Sequence, residues 1–122
     1  MKVRQFGLVL ALATALIAAD AAVQQAKKQI AEKKYDDAIT ALETAYKKNP
    51  KSTEIKQTLA DAYLAKGDSL MNDEQMPPRM KYPGALRAYR QVLTYDKDNK
   101  KAQSQIATIE GIYKSMGRPI PQ

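Results

Sequence analysis

Histidine, cysteine and tryptophan are missing from this 122-residue chain, and phenylalanine occurs once. Without cysteine there is no thiol nucleophile, no disulfide and no lipid-attachment residue of the lipoprotein type. Without histidine the usual imidazole base is gone, and with both absent so are the commonest zinc ligands. No glycine-rich phosphate loop occurs. Runs of β-branched residues and Asn-Gly turns are also lacking, so no strand signal stands out. The remaining carboxylate pairs are Asp36-Asp37, Asp73-Glu74 and Asp96-x-Asp98. They fall at expected helix ends or in a loop, where capping accounts for them without acid–base chemistry. The stretch Asp96-Lys97-Asp98-Asn99-Lys100 lacks the glycine and distal glutamate of a calcium loop. The sequence reads as a non-enzyme with no cofactor and no metal.

Lysine is plentiful. Lys and Arg total 20 against 13 acidic residues, a net charge of +7. The lysines cluster as Lys27-Lys28, Lys33-Lys34, Lys47-Lys48 with Lys51, and Lys97 with Lys100-Lys101. Such a field attracts anionic partners, but solvated helix faces partly balanced by Asp and Glu explain the clusters better.

The N-terminus has the pattern of a secretory signal. Lys2 and Arg4 precede an almost wholly apolar run over residues 6–19, and Ala19-Asp20-Ala21 fits the small-x-small cleavage rule. The apolar run is shorter than the roughly 20 residues of a membrane-spanning helix. Residues 1–21 are therefore expected to be a signal peptide, and the protein to be periplasmic or secreted in a bacterium. Nucleic acid is then not an expected partner. Membrane contact would come only through an uncleaved signal or through electrostatics.

Beyond the leader, helical periodicity dominates and predicts five helices. The first is expected over about 21–33 and the second over 36–48, ended by Asn49-Pro50. The third starts at Ser52 or Thr53 and continues past Gly67. A loop over residues 72–80 contains Pro77-Pro78. The fourth helix has Pro83 in its first turn and ends near Tyr95. Asp98 is expected to cap the fifth, Gly117 to stop it, and residues 117–122 to form an extended tail.

A motif recurs within these helices. Lys34-Tyr35-Asp36-Asp37-Ala38-Ile39-Thr40-Ala41-Leu42 returns as Lys81-Tyr82-Pro83-Gly84-Ala85-Leu86-Arg87-Ala88-Tyr89. Tyr35, Ala38, Leu42, Ala45 and Pro50 form one set of marks. Leu59, Ala60, Tyr63, Tyr82, Ala85, Tyr89 and Val92 form the second. In this pattern the chain resembles the tetratricopeptide repeat family. The resemblance covers roughly residues 22–113. It implies an all-α fold: a right-handed stack of antiparallel helix hairpins, about two and a half repeats long, with a terminal capping helix. The domain would span residues 22–116, and the marks just named would be its packing residues. Tyr35 and Tyr82 stand 47 positions apart against the family's 34-residue period, so an insertion is expected within residues 68–81, lengthening the third helix and adding the Pro-Pro loop.

The resemblance also implies a function. Stacked hairpins of this family hold protein or peptide partners, and the first helix of each pair lines the groove. Carried onto this sequence, the groove residues are Lys27, Ile30, Gln57, Asp61, Leu64, Lys101, Ser104 and Thr108. Val23 and Gln57 stand where a carboxylate clamp would want other groups, and Asp61 would repel a carboxylate, so a C-terminal carboxylate is not the expected ligand. The reading is an exported interaction module, an adaptor or scaffold of the bacterial envelope. The competing reading is a structural protein that self-associates weakly, with Met71, Met76 and Met80 supplying adaptable apolar surface.

Overall fold

A computed structural model describes the backbone of residues 2–122 and the side chains from Leu16 onward. It contains α1 (Lys2–Ala31), α2 (Tyr35–Lys48), α3 (Thr53–Met71), α4 (Pro78–Tyr95) and α5 (Lys100–Ser115). No strand occurs among the described residues, and the chain is all-α. It forms two compact units, residues 1–58 and 59–122, with the division inside α3.

In the first unit, α1 packs on α2. Val23, Ala26, Ala38, Leu42 and Ile55 are fully buried, and Ile39 nearly so. Alanine at Ala26 and Ala38 lets helix axes approach to about 8–10 Å. Helix α1 begins at Lys2, not near residue 21, and runs unbroken through Ala21. An apolar leader run and an alanine-rich amphipathic segment both favour helix, so nothing in the local chemistry interrupts it. It ends at Ala31, two residues before the expected Lys33, in a turn the sequence did not announce. Lys33 adopts φ 63°, while Lys33 N–H donates to Ile30 O at 3.0 Å and Lys34 N–H to Gln29 O at 2.8 Å. This is a Schellman turn built on lysine in the left-handed conformation, which costs a residue with a Cβ about 1–2 kcal/mol. Asp36 and Asp37 lie in the first turn of α2, and Lys47 and Lys48 in its last, each favourable to the helix dipole. Pro50 is exposed and serves to end α2 rather than to pack.

Ser52 caps α3, its Oγ accepting from Ile55 N–H at 3.2 Å. The second unit is built on Ala60, Ala85, Leu86, Tyr89, Val92, Ala102, Ile109 and Tyr113, all buried. Tyr63, Leu64, Leu70, Met71 and Tyr82 pack against them. The extra residues of the second repeat lengthen α3 and α4 and leave a shorter loop than the expected one. Helix α3 reaches Met71 and α4 already starts at Pro78, so the connection is residues 72–77 instead of 72–80. Pro78 takes the first helical position, which suits a residue without an N–H. Pro83 is consequently inside α4 and not in its first turn. Helix α5 is capped by Asn99 and not Asp98: Asn99 Oδ1 accepts from Ala102 N–H at 2.9 Å, and Asn99 Nδ2 donates to Asp96 Oδ2 at 3.1 Å. Asn at this position reaches the third amide while its own amide is fixed by Asp96, a double role that aspartate cannot fill. Gly117, at φ 64°, stops α5 as expected.

Candidate functional site

The expected groove residues sort by helix. Lys27 and Ile30 lie on α1, and Gln57 on the part of α3 that belongs to the first unit. Asp61 and Leu64 lie on the part of α3 in the second unit, and Lys101, Ser104 and Thr108 on α5. All are exposed except Ile30 and Leu64, which are half-buried. Spacings of three, four and seven put Asp61, Leu64 and Asp68 on one stripe of α3, and Lys101, Ser104 and Thr108 on one stripe of α5.

The second unit joins these two stripes. Lys101 Nζ donates to Asp68 Oδ2 at 2.6 Å, so the α5 stripe begins directly beside the end of the α3 stripe. The other oxygen, Asp68 Oδ1, accepts from the Tyr89 hydroxyl at 2.7 Å. Gln105 also hydrogen-bonds this hydroxyl. One carboxylate thus ties α3 to α4 and α5. Burial of the Tyr89 phenol pushes its pKa well above the usual value of 10, and the hydrogen bond to Asp68 and that carboxylate's charge push it the same way. The Tyr89 ring lies close against α3 at Gly67, where an added Cβ would come within 2.7 Å of Cε1.

This geometry changes how Lys101 reads. It is committed to an internal ion pair, so its charge is largely neutralised before any partner arrives. Leu64 packs on the core with one side, which leaves it an apolar floor and not a projecting contact. The Thr108 hydroxyl donates to Ser104 O at 3.0 Å, leaving its oxygen to accept. Reasoning from the sequence missed Asp68, Tyr89 and Gln105 as one network. The signal available was the spacing of Asp68 from Asp61 and Leu64, which continues their stripe.

A cleft of about 260 Å³ also lies between α1 and α2, lined by Ala18, Ala19, Ala22, Ala41, Thr44, Ala45, Lys48 and Asn49. Small side chains leave this space, and two of its walls, Ala18 and Ala19, belong to the expected leader. Cleavage after Ala21 would remove them, and a chain so shortened would lack two of the cleft's walls.

Among known families, the tetratricopeptide repeat model matches residues 29–69, the end of α1, all of α2 and most of α3. The chain carries a tetratricopeptide repeat. No curated protein and no solved structure matches it. Tetratricopeptide repeats serve in general as non-catalytic modules of protein–protein interaction. In this light the stripe Asp61, Leu64, Asp68 lies on the first helix of a repeat pair, and Lys101, Ser104, Thr108 on the helix that opens the next. Each helix gives its apolar face to the core and leaves the polar stripe to solvent.

Proposed function

We propose that this chain is an exported, non-enzymatic adaptor of the bacterial cell envelope, and that it takes a protein or peptide partner on the face formed by α3 and α5 in the second unit. The observation that carries the reading is the Lys101–Asp68 ion pair, which sets the solvent-facing stripes of two first helices side by side. The repeat match over residues 29–69 supports an interaction role, and the leader pattern over residues 1–21 supports export. A carboxyl-terminal partner is not favoured, because Asp61 faces solvent on this stripe and Lys101 is already paired. The surface is short, so binding is expected to be transient, with less than about 1,200 Å² buried in total.

Lysine crosslinking in intact cells, read through Lys27, Lys56 and Lys101, tests this. One foreign envelope protein should be captured by the wild type and lost from an Asp61→Lys, Thr108→Glu double variant. Both positions are exposed, so the variant should keep its helical fold, which circular dichroism checks. Capture that survives in the folded variant refutes the α3–α5 face as the site. Crosslinks between copies alone would favour the self-associating reading. That second reading has one structural support: Met80 and Met116 are 59% and 48% exposed.

A further inference from the structure

The C-terminal tail does not hang free. After α5 the chain reverses at Gly117, with Gly117 N–H donating to Lys114 O and Arg118 N–H to Tyr113 O, both at 3.0 Å. This Schellman turn sends residues 118–122 back along the second unit. Ile120 is half-buried and packs on the core cluster. Arg90 of α4 donates from Nη1 to Pro121 O at 2.8 Å, while its Nη2 lies 3.8 Å from Glu110 Oε1 of α5. The tail is therefore held by one apolar side chain and one main-chain carbonyl.

Those two grips are what recognition of an extended peptide requires. Proline on both sides of Ile120 removes two N–H groups and favours the extended polyproline conformation, which costs little entropy to bind. The guanidinium reads a backbone carbonyl and not a side chain, so any segment of the same shape could make the bond. Glu110 stands nine residues beyond Lys101, about two and a half turns on, and so lies on the opposite side of α5 from the stripe that begins at Lys101.

We propose that the surface around Arg90 and Glu110 is a docking site for an extended aliphatic segment flanked by prolines, and that the chain fills it with its own C-terminus. A partner protein with such a segment binds by displacing residues 118–122. The tether gives the tail an effective concentration in the millimolar range, so the intact chain discriminates against weak competitors. The site is independent of the α3–α5 face and stands whether or not that face binds a partner.

The test is a nitrogen-15 NMR titration with the synthetic peptide Arg-Pro-Ile-Pro-Gln. An Ile120→Asp variant of the full chain, its tail released, should show saturable shifts at the amides of Arg90 and Glu110, with half-saturation near roughly 1 mM. The wild type should need a few-fold more peptide, because its own tail competes at millimolar effective concentration. A peptide with aspartate in place of isoleucine should produce no shifts. If the aspartate variant does not fold, Ile120→Ser removes the same apolar grip without adding charge and supports the same comparison. No shifts in a folded, tail-released variant would overturn the proposal and leave the tail a purely structural strap. Equal responses from variant and wild type would overturn it as well.

Discussion

Tyr89 is the residue on which the second unit turns, and its chemistry gives stability a particular dependence on pH. Its ring is fully buried and its hydroxyl donates to Asp68, whose second oxygen holds Lys101. Unfolded, the phenol ionises near pH 10; folded, burial and the neighbouring carboxylate hold it protonated to higher pH. The stabilising contribution is complete below the unfolded value. Above it the unfolded chain has released the proton and the folded chain has not, so stability falls as pH rises toward the folded value. Urea denaturation from about pH 8 to about pH 11 should show this fall in the wild type and a flatter profile in Tyr89→Phe. Lysine deprotonation affects both chains and cancels in the difference. Parallel profiles would mean that the phenol does not carry the effect. The sequence disclosed Tyr89 as a packing residue by its place in the repeat. It could not disclose the hydrogen bond, because 21 residues separate the partners and only the packing of α3 on α4 brings them together.

At the scale of the helix, two glycines that look alike in sequence have opposite roles. Gly67 is buried in α3, and a Cβ there would stand 2.7–3.0 Å from three atoms of the Tyr89 ring. That ring cannot swing away without losing its bond to Asp68. Gly111 lies in α5 with nothing within 4 Å of an added Cβ. Gly67→Ala should therefore cost about 1–3 kcal/mol through overpacking. Gly111→Ala should add about 0.5–1 kcal/mol by lowering the entropy lost on helix formation. Thermal unfolding of the two variants checks both signs, and stabilisation by Gly67→Ala would refute the close crossing of α3 and α4. The broad fold was legible because Ala38, Leu42, Leu59, Ala60, Ala85 and Val92 carry the repeat at helical spacing, and all six are fully buried. Boundaries were less legible. The loop of the second repeat looked three residues longer than it is because Pro77-Pro78 marks a break, yet proline at a first helical position also starts a helix, and Pro78 does so. Lys33 gave no signal at all, since lysine rarely occupies a left-handed helix terminus.

For the whole molecule, the question is whether residues 1–21 belong to the folded body or only to its delivery. Among the described side chains, the buried residues of α1, Val23 and Ala26, come after the expected cleavage point. Before it, Leu16 and Ile17 are 60% and 68% exposed, and Ala18 and Asp20 are exposed too. Ala19 and Ala22 are half-buried and line the cleft beside Ala41 and Ala45 of α2, so of the described side chains cleavage would remove Ala19 from this contact and leave Ala22 at the new terminus. Helix α1 would keep residues 22–31, about 15 Å of helix, which is enough to hold Val23 and Ala26 in place. A chain beginning at Ala22 should accordingly lose no more than about 1 kcal/mol, a shift of roughly 4–8 °C in Tm for a domain of this size. It should also be more soluble, because the exposed Leu16 and Ile17 have gone. Circular dichroism melts of the full and shortened chains, combined with light scattering at matched concentrations, measure both effects. Loss of helix well beyond the deleted residues would show that the leader segment is part of the first unit, and would favour an uncleaved N-terminal helix over a removable signal. A small loss with reduced association would favour a leader whose residues are dispensable once α1 has packed on α2.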